Sequence, residues 1–414
     1  MLELFPETAA LQDGELVLGG VRAAQLVADH GTPLVVYCER TLLAQAREYQ
    51  RVDPGALVVY GTKAFPNVAL LRLFAAQGLG ADVSTLGELE FAHRADVPAD
   101  RIVFHGNNKS DEELRAAAQA GAIVVLDSPD ELDRAGEAGV RRVLVRLTPG
   151  VGAETHESIQ TAHSGSKFGL DPDQALASIA AASNRLDVVG LHVHIGSQLA
   201  RTDESLAAVD RLVDFCGHCR DELGWRPEIV DLGGGLGVRH SRDEWIPSVA
   251  EFAGALVARF RAGWNEPSRL VLEPGRSLVG RAGVTLYAVG ATKRSGDVDY
   301  VAIDGGMSDN PRPQLYGARY EAMLANRADE PAAGAYRIAG KHCESGDVLI
   351  DRAELPEPRR GDLLAVPATG GYTVAMSSNY NGVPRPAVVL VADGAARLIR
   401  RRETIGDLLS HEVA

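Results

Sequence analysis

The chain has 414 residues, 45% of them hydrophobic and 24% charged, enough apolar material for a large buried core. A net charge of −14, with basic residues scattered rather than bunched, argues against nucleic acid as a partner. No apolar run approaches the roughly 20 residues that span a bilayer, and no basic-then-apolar leader opens the chain, so no membrane partner and a cytoplasmic location are expected.

In chain order, residues 1–37 read partly as strand, at Glu15 to Leu18 and Leu34 to Tyr37. From 56 to 280 short apolar strands alternate with amphipathic helices, and no hairpin signal intervenes. Strands are predicted at 56–63, 80–85, 102–106, 122–127, 142–148, 187–195, 228–232 and 269–273. The intervening helices fall at 67–78, 87–95, 111–120, 129–138, 172–183, 203–223 and 244–263, with caps such as Ser110-Asp111-Glu112-Glu113 and Ser128-Pro129-Asp130-Glu131. Eight βα units predict a closed parallel barrel, so the fold class is α/β, with a TIM-like (β/α)8 barrel over 38–280. Residues 149–171, with Thr155, His156, His163 and Ser166-Lys167-Phe168-Gly169, exceed a normal βα loop; they read as a lid or as an ordered surface excursion. Beyond 281, short strands separated by Gly, Pro and Asp clusters predict a mostly β, barrel-like domain over 281–414 that also takes in 1–37.

Active sites of such barrels form at the C-terminal ends of the strands. In order, those ends carry Lys63; Asp82 and Ser84; His105 and Asn107; Asp127; Arg146; His192, His194 and Ser197; Gly233-Gly234-Gly235; and Glu273-Pro274-Gly275-Arg276. Only five of the 42 basic residues are lysines: Lys63, Lys109, Lys167, Lys293 and Lys341. A lysine at the end of a buried strand therefore suggests chemistry that arginine cannot do, such as forming a Schiff base with an aldehyde; the alternative is a snorkelling strand-end lysine.

If that aldehyde is pyridoxal phosphate, the neighbouring strand ends fit its other needs. The glycine run offers backbone N–H groups to a phosphate, and Glu273 has the charge to keep the pyridine nitrogen protonated. Arg276 suits a phosphate or a substrate carboxylate as a two-donor clamp, and His194 offers a flat face to the ring. His192 and His194 share a strand face, and for both the alternative is a core histidine bonded to backbone. Farther on, Cys343 beside Glu344 reads as a proton donor with an ammonium-binding carboxylate, or as a shielded loop thiol. Cys216 and Cys219 fall inside a helical pattern with no second ligand pair, so no metal is expected there.

These motifs, with His105-Gly106-Asn107-Asn108-Lys109-Ser110, Ser166-to-Gly169, Arg312-to-Tyr316, Cys343-to-Asp347 and Ser378-Asn379-Tyr380-Asn381, resemble the fold-type III, PLP-dependent amino-acid decarboxylases. Within them the chain looks like the bacterial diaminopimelate decarboxylases along nearly its whole length. The resemblance implies decarboxylation of meso-diaminopimelate to L-lysine and CO2, with pyridoxal 5'-phosphate as cofactor. It implies catalytic roles for Lys63, His194 and Cys343, and a cofactor pocket of Lys63, Asp82, His194, Ser197, Gly234, Gly235, Glu273, Pro274, Gly275, Arg276 and Tyr372. Arg276, Arg312, Tyr316, Glu344 and Tyr372 would bind the substrate: Arg276, Arg312 and Tyr316 at its distal carboxylate, Glu344 at its distal ammonium. The Cys343–Glu344 loop would come from a partner subunit, which implies a homodimer with shared sites. Two local departures, Gly371 before Tyr372 and Phe65 after Lys63-Ala64, leave room for an altered substrate. Rival readings are a decarboxylase of ornithine, arginine, carboxynorspermidine or a carrier-bound amino acid, for which Arg312 has no carboxylate to clamp, and an inactive homologue acting as a binding or regulatory protein. The joint presence of Lys63, His194, Glu273 and Cys343 argues against the last.

Overall fold

The computed structural model describes residues 1–148, 150, 166–182 and 186–413. The chain divides into two compact units: Gln45–Gly237 with Ile246–Ser277, and Met1–Ala44 with Val238–Trp245 and Leu278–Ala414.

The first unit is a closed barrel of eight strands: Leu57–Gly61, Gly80–Val83, Ile102–Phe104, Ile123–Leu126, Arg142–Arg146, Asp187–His192, Ile229–Asp231 and Arg269–Leu272. All pair in parallel and in chain order, and Val271 opposite Leu57 with Leu272 opposite Val58 closes the ring. Leu57, Val59, Val103, Ile123, Val125, Leu144, Val189, Ile229 and Val271 pack together as one apolar cluster, so the barrel is filled rather than hollow. That filled interior leaves the C-terminal strand ends as the place where polar side chains meet.

Among the described residues seven helices return the chain between strands, close to where the apolar spacing predicts them. Capping boxes form at Ser110 with Glu113, Asp171 with Gln174 and Ser248 with Glu251, each satisfying orphan N–H groups of a first turn. At Ser128 the predicted cap does not form: the helix starts at Glu131, whose carboxylate accepts from Asp127 N and from the buried Lys109 Nζ. The helix Glu39–Val52, just before the first barrel strand, carries no sequence prediction, and neither does Ala23–His30 in the N-terminal segment.

The second unit is built on a nine-stranded mixed sheet. Its hub is Gly283–Ser295, which pairs antiparallel with Leu34–Cys38, Val298–Ile303 and Leu363–Pro367. Leu34–Cys38 also pairs parallel with Ala387–Ala392, so the N-terminal segment completes a C-terminal sheet, as predicted. Alternation along the hub places Val284 and Leu286 in one apolar cluster and Tyr287 and Val289 in another. Ala10–Gln12, Glu15–Leu18 and Val21–Arg22 make a small separate sheet. Among the described residues no helix is long and apolar enough to cross a membrane.

Candidate active site

In the barrel unit, Lys63 follows the first strand with its side chain half exposed, and its Nζ lies 3.7 Å from Asp82 Oδ2 at the end of the second strand. Glu273 follows the eighth strand and is buried; its Oε1 meets His105 Nε2 at 2.6 Å and its Oε2 meets His192 Nε2 at 3.2 Å. Burial alone would push the Glu273 carboxyl up, but the two imidazoles outweigh it and hold its pKa well below the usual carboxylate range. The two histidines differ. Burial opposes charging both, yet His105, at the shorter distance and also facing Asp82, has its pKa raised. His192, beside His105 and Arg146, is pushed down to about 4 and donates to Glu273 as a neutral ring.

Asp231, at the end of the seventh strand, is fully buried and accepts from Gly233 N at 2.8 Å. Burial first, then Glu273, raises its pKa well above the ordinary value. Its only sequence mark is its place before the glycine run. His105, His192, Asp231 and Glu273 are brought within 4.8 Å of one another by strands three, six, seven and eight.

His194 is half buried, and Gly234 N donates to its Nδ1 at 3.3 Å, which fixes Nδ1 as an acceptor and the ring as neutral. Burial, then Lys63 and Arg146, lower its pKa well below the ordinary value, in agreement. The glycine run is dictated by close backbone approach. A Cβ on Gly233 would lie 2.4 Å from Val193 O, and one on Gly234 would lie 2.1 Å from Glu273 O. The N–H groups of these two glycines are committed to Asp231 and His194, so the cationic part of an anion site falls to Arg276, whose Nη2 donates to Ser197 Oγ at 3.1 Å. Pro274 and Gly275 form the barrel seam: Gly61 N donates to Pro274 O, and Gly61 packs against the Gly275 backbone.

Not every predicted strand-end residue joins this cluster. Ser84 donates to Glu88 Oε2, Asn107 is exposed, and Asp127 accepts from Gly169 N beside Arg146. Of the predicted lid, Thr155, His156 and His163 lie outside the described residues. Cys216 and Cys219 are buried in the helix Asp203–Leu223, and burial pushes the Cys219 thiol up to about 12, away from the thiolate a metal would bind.

The second unit carries the remaining predicted residues. Arg312 is buried at the start of the short helix Arg312–Tyr316; its Nη1 donates to Gly371 O at 3.3 Å, and its Nε has no hydrogen-bond partner among the described residues. A buried guanidinium with donors to spare suits an anion. Tyr372, next to Gly371, holds φ at +59°, a left-handed conformation that a tyrosine adopts only when its surroundings impose it. Tyr316 OH lies 4.0 Å from Met376 Sδ. Cys343 and Glu344 sit exposed at a loop tip between buried His342 and Asp347. Cys343 N donates to Asn381 Oδ1, while the Asp347 carboxylate accepts from His342 N and Met307 N. Of the four cysteines, Cys343 alone is exposed.

The barrel unit's donor set fits pyridoxal phosphate: a half-exposed amine at Lys63, a buried anionic carboxylate at Glu273, a neutral flat imidazole at His194, and a cation with a hydroxyl at Arg276 and Ser197.

Comparison with known proteins points the same way. Residues 39–280 match the family model described as the pyridoxal-binding domain of pyridoxal-dependent decarboxylases. The chain is 44% identical to the diaminopimelate decarboxylase of Actinosynnema pretiosum subsp. auranticum, covering 99% of this chain and 95% of that one. It is 43% identical to the Bacillus subtilis protein of the same name, over 96% of this chain and 95% of that one. The fold superposes on the crystal structure of the M. jannaschii diaminopimelate decarboxylase in complex with L-lysine with a TM-score of 0.92, at 34% identity, covering 99% of this chain and 98% of that one.

Proposed function

Because the chain belongs to the diaminopimelate decarboxylases, within the pyridoxal-dependent decarboxylase family, we propose that it removes one carboxylate of meso-2,6-diaminopimelate as CO2 and leaves L-lysine. The observation that carries this reading is the pairing of Lys63, set against Asp82, with a buried Glu273 that two histidines keep anionic. Bound pyridoxal phosphate supplies an electron sink, because a protonated ring nitrogen draws in the electrons that the departing CO2 leaves behind.

The chain's residues then divide the work. Lys63 Nζ would hold the cofactor through its amine and give way to the amine of the substrate. Glu273 would keep a proton on the ring nitrogen, and neutral His194 would offer its flat face to the ring without adding charge. Ser197 and Arg276 take the phosphate, with Asp82, Gly234, Gly235, Pro274, Gly275 and Tyr372 shaping the pocket. Arg276, Arg312 and Tyr316 grip the substrate carboxylate that is not lost, Tyr372 contacts the substrate, and Glu344 binds its distal ammonium. Cys343 Sγ returns a proton to the carbon that has lost CO2. In this reading the enzyme works in the cytoplasm at the last step of lysine biosynthesis, as a homodimer whose Cys343–Glu344 loop serves the partner's site.

Incubating the holoenzyme separately with meso-diaminopimelate, lysine, ornithine and arginine, and measuring CO2, tests the substrate. Release from diaminopimelate alone is expected; faster release from ornithine or arginine would replace this reading with that of the corresponding decarboxylase.

A further inference from the structure

His105 is buried between two carboxylates from different barrel strands. Its Nε2 lies 2.6 Å from Glu273 Oε1 and 3.8 Å from Asp82 Oδ1, and Asp82 Oδ2 lies 3.7 Å from Lys63 Nζ. We propose that His105 is a positioning residue for Glu273: it holds that carboxylate ionised and oriented for the cofactor's ring nitrogen, and couples it electrostatically to the Asp82–Lys63 pair. The inference rests on the assignment of Glu273 to the ring nitrogen made above.

The distances separate this role from two others. Contacts of 3.7 and 3.8 Å are too long for hydrogen bonds, so the Lys63–Asp82–His105 leg acts through charge rather than as a proton path. The four ligand-type atoms of His105, His192, Asp231 and Glu273 lie within 4.8 Å, a spacing that also suits a metal. However, the 2.6 Å between His105 Nε2 and Glu273 Oε1 is a hydrogen bond, closer than the roughly 3 Å between two ligands each about 2 Å from one ion.

The charges around the imidazole favour the same role. Facing it are Asp82, Glu273, Lys63, His192 and Asp231. His192 is neutral and Asp231, a carboxyl, carries no positive charge, so neither balances Glu273. Burial disfavours charge on His105, but Glu273 and Asp82 overcome it and raise its pKa. Without His105, Glu273 keeps the neutral donor His192 at 3.2 Å and the carboxyl of Asp231 but no positive charge beside them, and its affinity for a proton must rise.

Two variants separate the hydrogen bond from the charge. His105→Gln keeps an N–H donor, whereas His105→Leu removes donor and charge together. Three quantities are measured from about pH 5 to pH 9: the equilibrium affinity of the apoprotein for pyridoxal phosphate, kcat and KM, and Tm. His105→Leu is expected to weaken cofactor binding by about tenfold to a hundredfold, to lower kcat more than it raises KM, and to move the acidic limb of cofactor affinity to higher pH. His105→Gln should regain part of the affinity but not the position of that limb, and it carries the test if His105→Leu fails to fold. Glu273→Gln is run alongside. Wild-type turnover in Glu273→Gln overturns the assignment of Glu273 itself. A dead Glu273→Gln together with wild-type cofactor affinity and an unmoved limb in both His105 variants overturns this inference alone. Full restoration by His105→Gln, limb included, overturns the charge role.

Discussion

Arg312 is a guanidinium already out of water, so a carboxylate that reaches it must be matched donor for donor, and lysine could not reproduce its planar fork. Arg312→Met is expected to lower kcat/KM for diaminopimelate by about 2–5 kcal/mol in transition-state terms, and far less for ornithine or lysine, which lack the second carboxylate. Equal losses on both kinds of substrate would mean that Arg312 serves the fold, through Gly371, rather than specificity. Lys63→Ala should abolish both turnover and the absorbance band of bound cofactor while far-UV circular dichroism stays unchanged; near-wild-type turnover would remove the lysine from the chemistry. Asp309 makes a different kind of prediction. Burial, working against its bonds to Tyr287 and Gly306 N, raises its pKa to about 7. A carboxyl raised on folding contributes stability that is full below its unfolded value near 4 and is lost as pH climbs through about 7. Asp309→Asn should therefore flatten a decline on the order of 2–4 kcal/mol between those limits, read by urea denaturation at a series of pH values. Lys63 and Glu273 were legible in the sequence because each ends a strand. The bond between Glu273 and His105 was not, since those residues are 168 apart and meet only when the barrel closes.

At the scale of elements, the loops after barrel strands three and four are joined by a buried ion pair: Lys109 Nζ donates to both oxygens of Glu131 and to Gly106 O. Burial lowers the lysine's pKa despite Glu131 and Asp127, so the pair holds its charge only while complete. Lys109→Met or Glu131→Gln alone should cost about 3–5 kcal/mol of unfolding free energy, whereas Lys109→Met with Glu131→Leu should recover most of the loss. A double variant no more stable than the worse single would show that the pair holds the loops by geometry rather than by charge balance. This pair also explains where the sequence misled: Glu131 looks like a capping residue, but its carboxylate is claimed from inside by a lysine 22 positions earlier. The eight strands were readable because apolar runs bounded by turn residues repeat so regularly. The helix Glu39–Val52 was not, although its apolar and polar residues segregate at helical spacing, because it precedes the βα alternation it belongs to.

For the whole molecule, the homodimer proposal has a direct test. Lys63→Ala and Cys343→Ala subunits, each inactive alone, should regain activity when mixed, up to one intact site per heterodimer. Silence after demonstrated subunit exchange would remove support for the shared site. As the one exposed cysteine, Cys343 can be followed in the same mixtures by its alkylation rate. That the barrel is nested inside a second β unit was also legible, because strand signals flank the βα repeat at both ends. The nesting bears on how the chain is made. Leu34–Cys38, apolar throughout and fully buried in the finished sheet, pairs with Gly283–Ser295 and Ala387–Ala392. On a ribosome adding about 5–20 residues per second, it waits tens of seconds for its last partner while the barrel strands emerge in between. Until Gly283–Ser295 emerges it is an unpaired sticky strand, one edge stays open after that, and nascent chains of this protein should be a chaperone's client through Leu34–Cys38 until Ala387–Ala392 has been translated.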